Sequence, residues 1–149
     1  MTDPRFPVLG LPLWPGTTGP RVAVRADGNL AGVLTFYGDG GPRAPATVIF
    51  EQRSDPPPSG RVPAPVTNLL LKGGRPEHLE EISREETTAT VLGTPHRCTR
   101  VRWSDPRIAD VRFTWHRFHL CIASWEYQLD TEFFASVGVL PTPRHPSSR

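Results

Sequence analysis

The chain has 149 residues, about one domain's worth, and 18 of them are proline, against roughly 5% in average proteins. Such a chain is neither a helical bundle nor a coiled coil, because a proline inside a helix costs about 3 kcal/mol. Sixteen of its 17 basic residues are arginine, yet the formal net charge is only +2, which argues against a strongly basic nucleic-acid binder.

Residues 1–20 hold five prolines and read as an extended arm. Phe6, Val8, Leu9, Leu11, Leu13 and Trp14 are too apolar for a free tail. The arm is expected to pack on the domain or, failing that, to offer a sticky surface to a partner. Arg21–Arg25 and Leu30–Tyr37 are strand-like runs around Asp27-Gly28, a strong hairpin signal. Gly38-Asp39-Gly40-Gly41-Pro42 closes the second run and leads to another strand rather than a helix, so it reads as a hairpin connection and not a phosphate loop. Thr47–Arg53 is a third strand, and Ser54–Gly60 is a surface loop. Val66–Lys72 reads as a fourth strand, ended by Gly73-Gly74.

Pro76–Ser83 is expected to form a short helix, with Pro76 in its first turn and Leu79 and Ile82 on its buried face. Glu86–Leu92 resumes strand character, and Gly93-Thr94-Pro95 turns the chain into the strand Arg97–Trp103. After a turn at Ser104–Arg107, residues 110–125 alternate most clearly. A two-residue turn at His116-Arg117 pairs Trp115 with Phe118, Phe113 with Leu120 and Val111 with Ile122 on one face. Thr114 then pairs with His119, and Arg112 with Cys121, on the other. A last helix is expected from Thr131 to about Val137, capped by Asp130 and stapled by Leu129 and Phe134, with Phe133, Phe134 and Val137 facing the core. Residues 141–149 read as a flexible tail.

The pattern predicts one α+β domain over residues 21–140. Its expected form is a curved antiparallel sheet of seven or eight short strands with two short helices, the last packed on the sheet. A closed all-β barrel is the alternative. Two cysteines, no basic-then-apolar leader and no apolar run of spanning length point to a reduced, cytoplasmic protein with no membrane segment.

Several residue groups carry chemistry. Residues 97–117 hold six arginines and two acids, so Arg100, Arg102 and Arg112 with His119 are expected to form one cationic stripe. Residues 77–86, with five glutamates and one arginine, are its acidic complement. His96-x-Cys98 and His119-x-Cys121 are two dyads at strand spacing, weak material for zinc, since one intervening strand would hold them about 10 Å apart. His116, His119 and Cys121 are the weak catalytic candidates; a Cys-His pair two apart on a strand lies about 6–7 Å apart, too far for activation. Trp103, Phe113, Trp115, Phe118, Trp125 and Tyr127 are material for a core or for a pocket lining.

With no catalytic or cofactor motif, the first expectation is a non-enzymatic interaction protein. It docks a partner protein or a second copy through the arm, including Trp14, and the arginine face. The second is a small-molecule-binding or catalytic domain in which an arginine anchors an anionic ligand beside Trp103 or Trp115. The third, nucleic-acid binding through residues 97–118, is disfavoured by the low charge.

Overall fold

A computed structural model of the chain describes residues 7–19, 21–26, 29–38, 46–56, 60, 62–73 and 79–141. Its strands are β1 (Leu9–Gly10), β2 (Thr17–Thr18), β3 (Val22–Ala26), β4 (Asn29–Gly38), β5 (Ala46–Arg53), β6 (Glu81–Val91), β7 (Thr94–Trp103), β8 (Ile108–Trp115), β9 (Phe118–Trp125) and β10 (Gly138–Val139). Helix α1 is Ala64–Gly73 and helix α2 is Thr131–Ala135. The main sheet runs β2-β4-β5-β9-β8-β7-β6, with β3 also paired to β4, and every pairing is antiparallel. It is an open, curved α+β sheet that ends at β6 on one side, so it is not the closed barrel. Among the described residues, no helix is long and apolar enough to cross a membrane.

The β8–β9 hairpin has the register that alternation predicts. Trp115 faces Phe118, Phe113 faces Leu120, and Val111 faces Ile122, while Arg112 faces Cys121 on the other side. Its two-residue turn is accommodated by a left-handed His116, with φ of 55°. The turn before β7 is Leu92-Gly93, both at positive φ, so Thr94 and Pro95 already belong to the strand.

Two expected elements are different. Val66–Lys72 is not a strand but part of α1. The run Val66–Leu71 has no alternating polar residue except Thr67 and Asn68, and leucine favours helix. Pro65 sits in the first turn, where its missing N–H costs nothing. Val66 and Leu69, three apart, bury one face, and the Asn68 amide donates to the Ala64 carbonyl one turn back. The helix expected over Pro76–Ser83 is also absent where it is described: Glu81, Ile82 and Ser83 open β6, and Pro76–His78 lie outside the described residues. Pairing with β7 overrides the local signal, since it sets acidic β6 beside basic β7, with Glu85 opposite Arg100. Asp27-Gly28, the loop 39–45, residues 57–59 and the tail from 142 likewise lie outside the described residues, though Ala26 and Asn29 pair across the expected hairpin turn.

The sheet is covered on both faces. On the arm face, α2 and the N-terminal segment bury Val48, Phe50, Cys98, Val111, Phe113, Trp115, Phe118, Leu120 and Ile122. Asp130 caps α2 by accepting from the Phe133 N–H at 3.0 Å, and Phe133, Phe134 and Val137 are core. On the groove face, α1 packs Val66 and Leu69 against Leu34, Ile49, Val101, Trp103, Ile108 and Ala123.

The arm folds back on its own chain. Val8, Leu9 and Leu11 are buried, each contributing about 1.5–3 kcal/mol of apolar burial. Gln52, wholly buried, holds the arm's backbone: its amide nitrogen donates to the Pro7 carbonyl at 2.6 Å, and its oxygen accepts from the Leu9 N–H at 3.0 Å. The Tyr37 hydroxyl accepts from the Leu11 N–H at 2.9 Å. Gly10 is bare because a Cβ there would collide with that hydroxyl and with Leu140. β1 pairs with β10, and the Leu140 N–H donates to the Val8 carbonyl at 2.7 Å.

Replacing Gln52→Ala removes two buried hydrogen bonds and orphans their partners. Urea unfolding should show a loss of about 2–4 kcal/mol. His116→Gly relieves the left-handed strain at the turn and should raise stability by about 0.5–1 kcal/mol in the same assay.

Candidate functional site

Beyond the reach of α1, the groove face becomes polar, strand by strand and at the same level. One row across the sheet is Phe36–Ile49–Ala123–Asp110–Val101. The next, two residues along each strand, is Leu34–Glu51–Cys121–Arg112–Thr99–Glu86. The third is Gly32–Arg53–His119–Thr114. Strand alternation keeps all these side chains on one face. Glu51, Cys121, Arg112, Thr99 and Glu86 of the second row and Arg53, His119 and Thr114 of the third line a groove of about 350 Å³, bordered by Pro63 just before α1 and by Arg97. Gly32 lets β4 lie close against β5, because a Cβ there would collide with the Gln52 carbonyl and press on Arg53.

Asp110 is the hub beneath this floor. Its side chain is 0% exposed. Oδ2 accepts from the Trp103 indole N–H at 2.8 Å and from Arg112 at 2.9 Å. Oδ1 accepts from the Arg112 Nε at 3.1 Å and from the Cys121 thiol at 3.6 Å. Burial works against the charge on Arg112, but these bonds to Asp110 outweigh it and raise its pKa. Burial pushes the Cys121 thiol well above its ordinary range, and the neighbouring Asp110 carboxylate pushes the same way. A thiol held protonated is a poor nucleophile. Burial also raises the pKa of Glu51, against the opposing pull of Arg53, whose nearest nitrogen lies 3.8 Å from the carboxylate.

The arginines of the groove are unequally engaged. Arg112 is committed to Asp110. Among the described residues, the ion pairs of Arg53 are long, to Glu51 and to Asp55 at 3.5 Å, and its buried Nε has no hydrogen-bond partner. Glu86 accepts from the Thr99 hydroxyl at 2.9 Å.

The expected single stripe is divided between the two faces. Arg112 and His119 line the groove, but Arg100 pairs with Val111 and Arg102 with Ala109, which places both on the arm face. There Arg100 donates to the Leu129 carbonyl at 2.7 Å, and Arg102 is exposed. The cause is parity: Arg112 is opposite Thr99, an odd position of β7, and Arg100 and Arg102 are even. Parity also separates the two dyads. Cys98 is in the arm-face core, where His96 lies 5.8 Å from the Phe113 ring, while His119 and Cys121 line the groove. The strand β8 lies between them, and burial raises the pKa of Cys98 as well. Of the catalytic candidates, His116 is in the exposed turn, its ring 4.8 Å from Trp115, away from His119 and Cys121. Among the described residues, no three His, Cys, Asp or Glu side chains are grouped to hold a metal ion.

Trp103 is buried on the groove face and reaches the site only through Asp110, whereas Trp115 stacks on Phe118 in the arm-face core. Trp14 donates its indole N–H to the Gly38 carbonyl at 2.8 Å, outside the groove. Sequence reasoning missed Glu51, Arg53, Asp110 and Gly32. The alternation of Ile49, Glu51 and Arg53 along β5 carried the signal, but which face would stay uncovered did not show. No protein-family model matches the chain, and no curated protein matches it.

Glu51 binds its proton more tightly folded than unfolded, so it favours folding below its ordinary pKa of 4.5, and that contribution is lost as pH rises through the folded value. In urea titrations from pH 4 to 7, Glu51→Gln should therefore gain stability relative to the parent as pH rises. A constant difference between the two proteins would contradict this burial effect.

Proposed function

We propose that the protein binds a small anionic molecule, a carboxylate or a phosphate, in the groove beside α1. The observation that carries this reading is Arg53, a guanidinium in the groove wall whose ion pairs are long and whose buried Nε has no hydrogen-bond partner among the described residues. A buried unpaired donor costs about 1–3 kcal/mol, more when charged, and an anion in the groove removes that cost. A guanidinium's planar fork suits carboxylate and phosphate oxygens. Arg97 and His119 add donors at the rim, and Arg112 below them is held rigid by Asp110. The positive end of α1 follows Pro63, at the groove's border, with no acidic residue in the helix's first turn to offset it. Glu51 and Glu86 oppose an anion, so the ligand is one that sits toward Arg53, Arg97 and His119.

The reading is of binding rather than catalysis, since burial pushes the Cys121 pKa up and its thiol donates a hydrogen bond to Asp110. Docking through the arm is less favoured, because Val8, Leu9 and Leu11 are used in the chain's own core.

Titration calorimetry with citrate and with inorganic phosphate, at fixed ionic strength, tests the proposal. Saturable binding of one of them is expected, weakened about 10- to 100-fold by Arg53→Gln or Arg97→Gln, the loss of one charge-assisted hydrogen bond. Arg102→Gln, on the other face, should leave it unchanged. Equal effects of all three substitutions would reduce the site to nonspecific surface charge.

A further inference from the structure

A second cavity lies on the arm face, where the arm meets the segment leading into α2, and its chemistry is opposite to that of the groove. It measures about 480 Å³. Three rings shape it: Trp14, Tyr127 and Phe133. Trp14 and Tyr127 are 5.6 Å apart at 56°, and Tyr127 and Phe133 are 6.0 Å apart at 72°, so the rings form inclined walls rather than a stack. Among the described residues, the polar side chains that line it include two carboxylates, Asp130 and Glu132, and no basic group.

These walls are fixed before any ligand arrives. The Trp14 indole is held by its bond to the Gly38 carbonyl and backed by Tyr37 at 5.8 Å. Tyr127 is positioned by the Ser124 hydroxyl, which donates to its carbonyl at 2.6 Å, and by a left-handed Glu126, with φ of 54°. Phe133 is buried at the cavity floor. Asp130 uses Oδ1 to cap α2, and no hydrogen bond from the described residues engages its other oxygen. Tyr127 remains 39% exposed and neighbouring Leu13 88% exposed, so apolar surface faces the opening.

We propose that this cavity binds a small quaternary ammonium compound of the choline type. Aromatic faces attract a cation through their quadrupoles, and most favourably one that sheds its hydration cheaply. An alkylated ammonium meets that condition and lays methyl groups on the rings, whereas a primary ammonium is a strongly hydrated point charge. Asp130 and Glu132 supply the balancing charge. A neutral ligand of the same shape would gain only the apolar contact.

Choline and 3,3-dimethylbutanol, its uncharged isostere, separate these contributions. With the full chain at fixed ionic strength, calorimetry and tryptophan fluorescence should show saturable choline binding, and the isostere should bind at least about five-fold more weakly. Tyr127→Leu, which keeps apolar bulk but removes the ring, should abolish binding with unchanged circular dichroism. Asp130→Asn, which preserves the helix cap, should weaken it several-fold. Arg97→Gln, in the arginine groove, should leave it unchanged. Equal affinity for the isostere, absence of saturable choline binding, or a Tyr127→Leu protein that still binds choline would each overturn the proposal.

Discussion

A sheet whose strands are apolar on both faces must be covered on both, and the described residues offer little helix with which to do it. Seven strands spaced about 4.8 Å apart span about 29 Å. Helix α1, with ten residues, is about 15 Å long and about 10 Å across. It shields Leu34, Ile49 and Ala123, and the groove lies along the next two rows of the same face. Those rows are where Glu51, Arg53, Arg112 and His119 replace aliphatic side chains. Among the described residues, the arginine groove is thus where the apolar contacts of α1 give way to polar side chains.

The other face is closed by the opposite strategy. Helix α2 has only five residues, so the arm completes the layer with Val8, Leu9 and Leu11. An extended segment laid over a core brings unsatisfied backbone groups with it. Gln52 and Tyr37 meet them from the sheet, and β10 meets them from the side. The same placement sets Trp14 beside Tyr127 and creates the aromatic cavity, so cover and cavity have one origin.

Between the faces, Asp110 shows how a buried charge is tolerated here. An unpaired carboxylate in an apolar layer would be prohibitively costly. Asp110 accepts from a guanidinium, an indole and a thiol, and so links the apolar half of the groove face, through Trp103, to the polar half, through Arg112. This arrangement leaves Arg112 rigid and Cys121 chemically quiet, while Arg53 keeps a donor unanswered among the described residues.

The sequence by itself determined what is local. The β8–β9 register followed from alternation, because the side-chain period of a strand is two and a two-residue turn leaves no slack. The α2 cap followed from Asp130 preceding Phe133 and Phe134. The legible part of the site was correspondingly local: Arg112, His119 and Cys121 share a face because they share that hairpin. The tertiary structure decided what depends on distant chain. Residues 66–72 became helix where the groove face needed cover, and residues 81–83 became strand because β7 offered partners. Arg53 joined Arg112 only when β5 paired with β9, and Arg100 was sent to the other face by the parity of β7 against β8. Alternation tells which side chains lie together along one strand. Only the register between strands, and the amount of helix left to cover them, tells which side faces water.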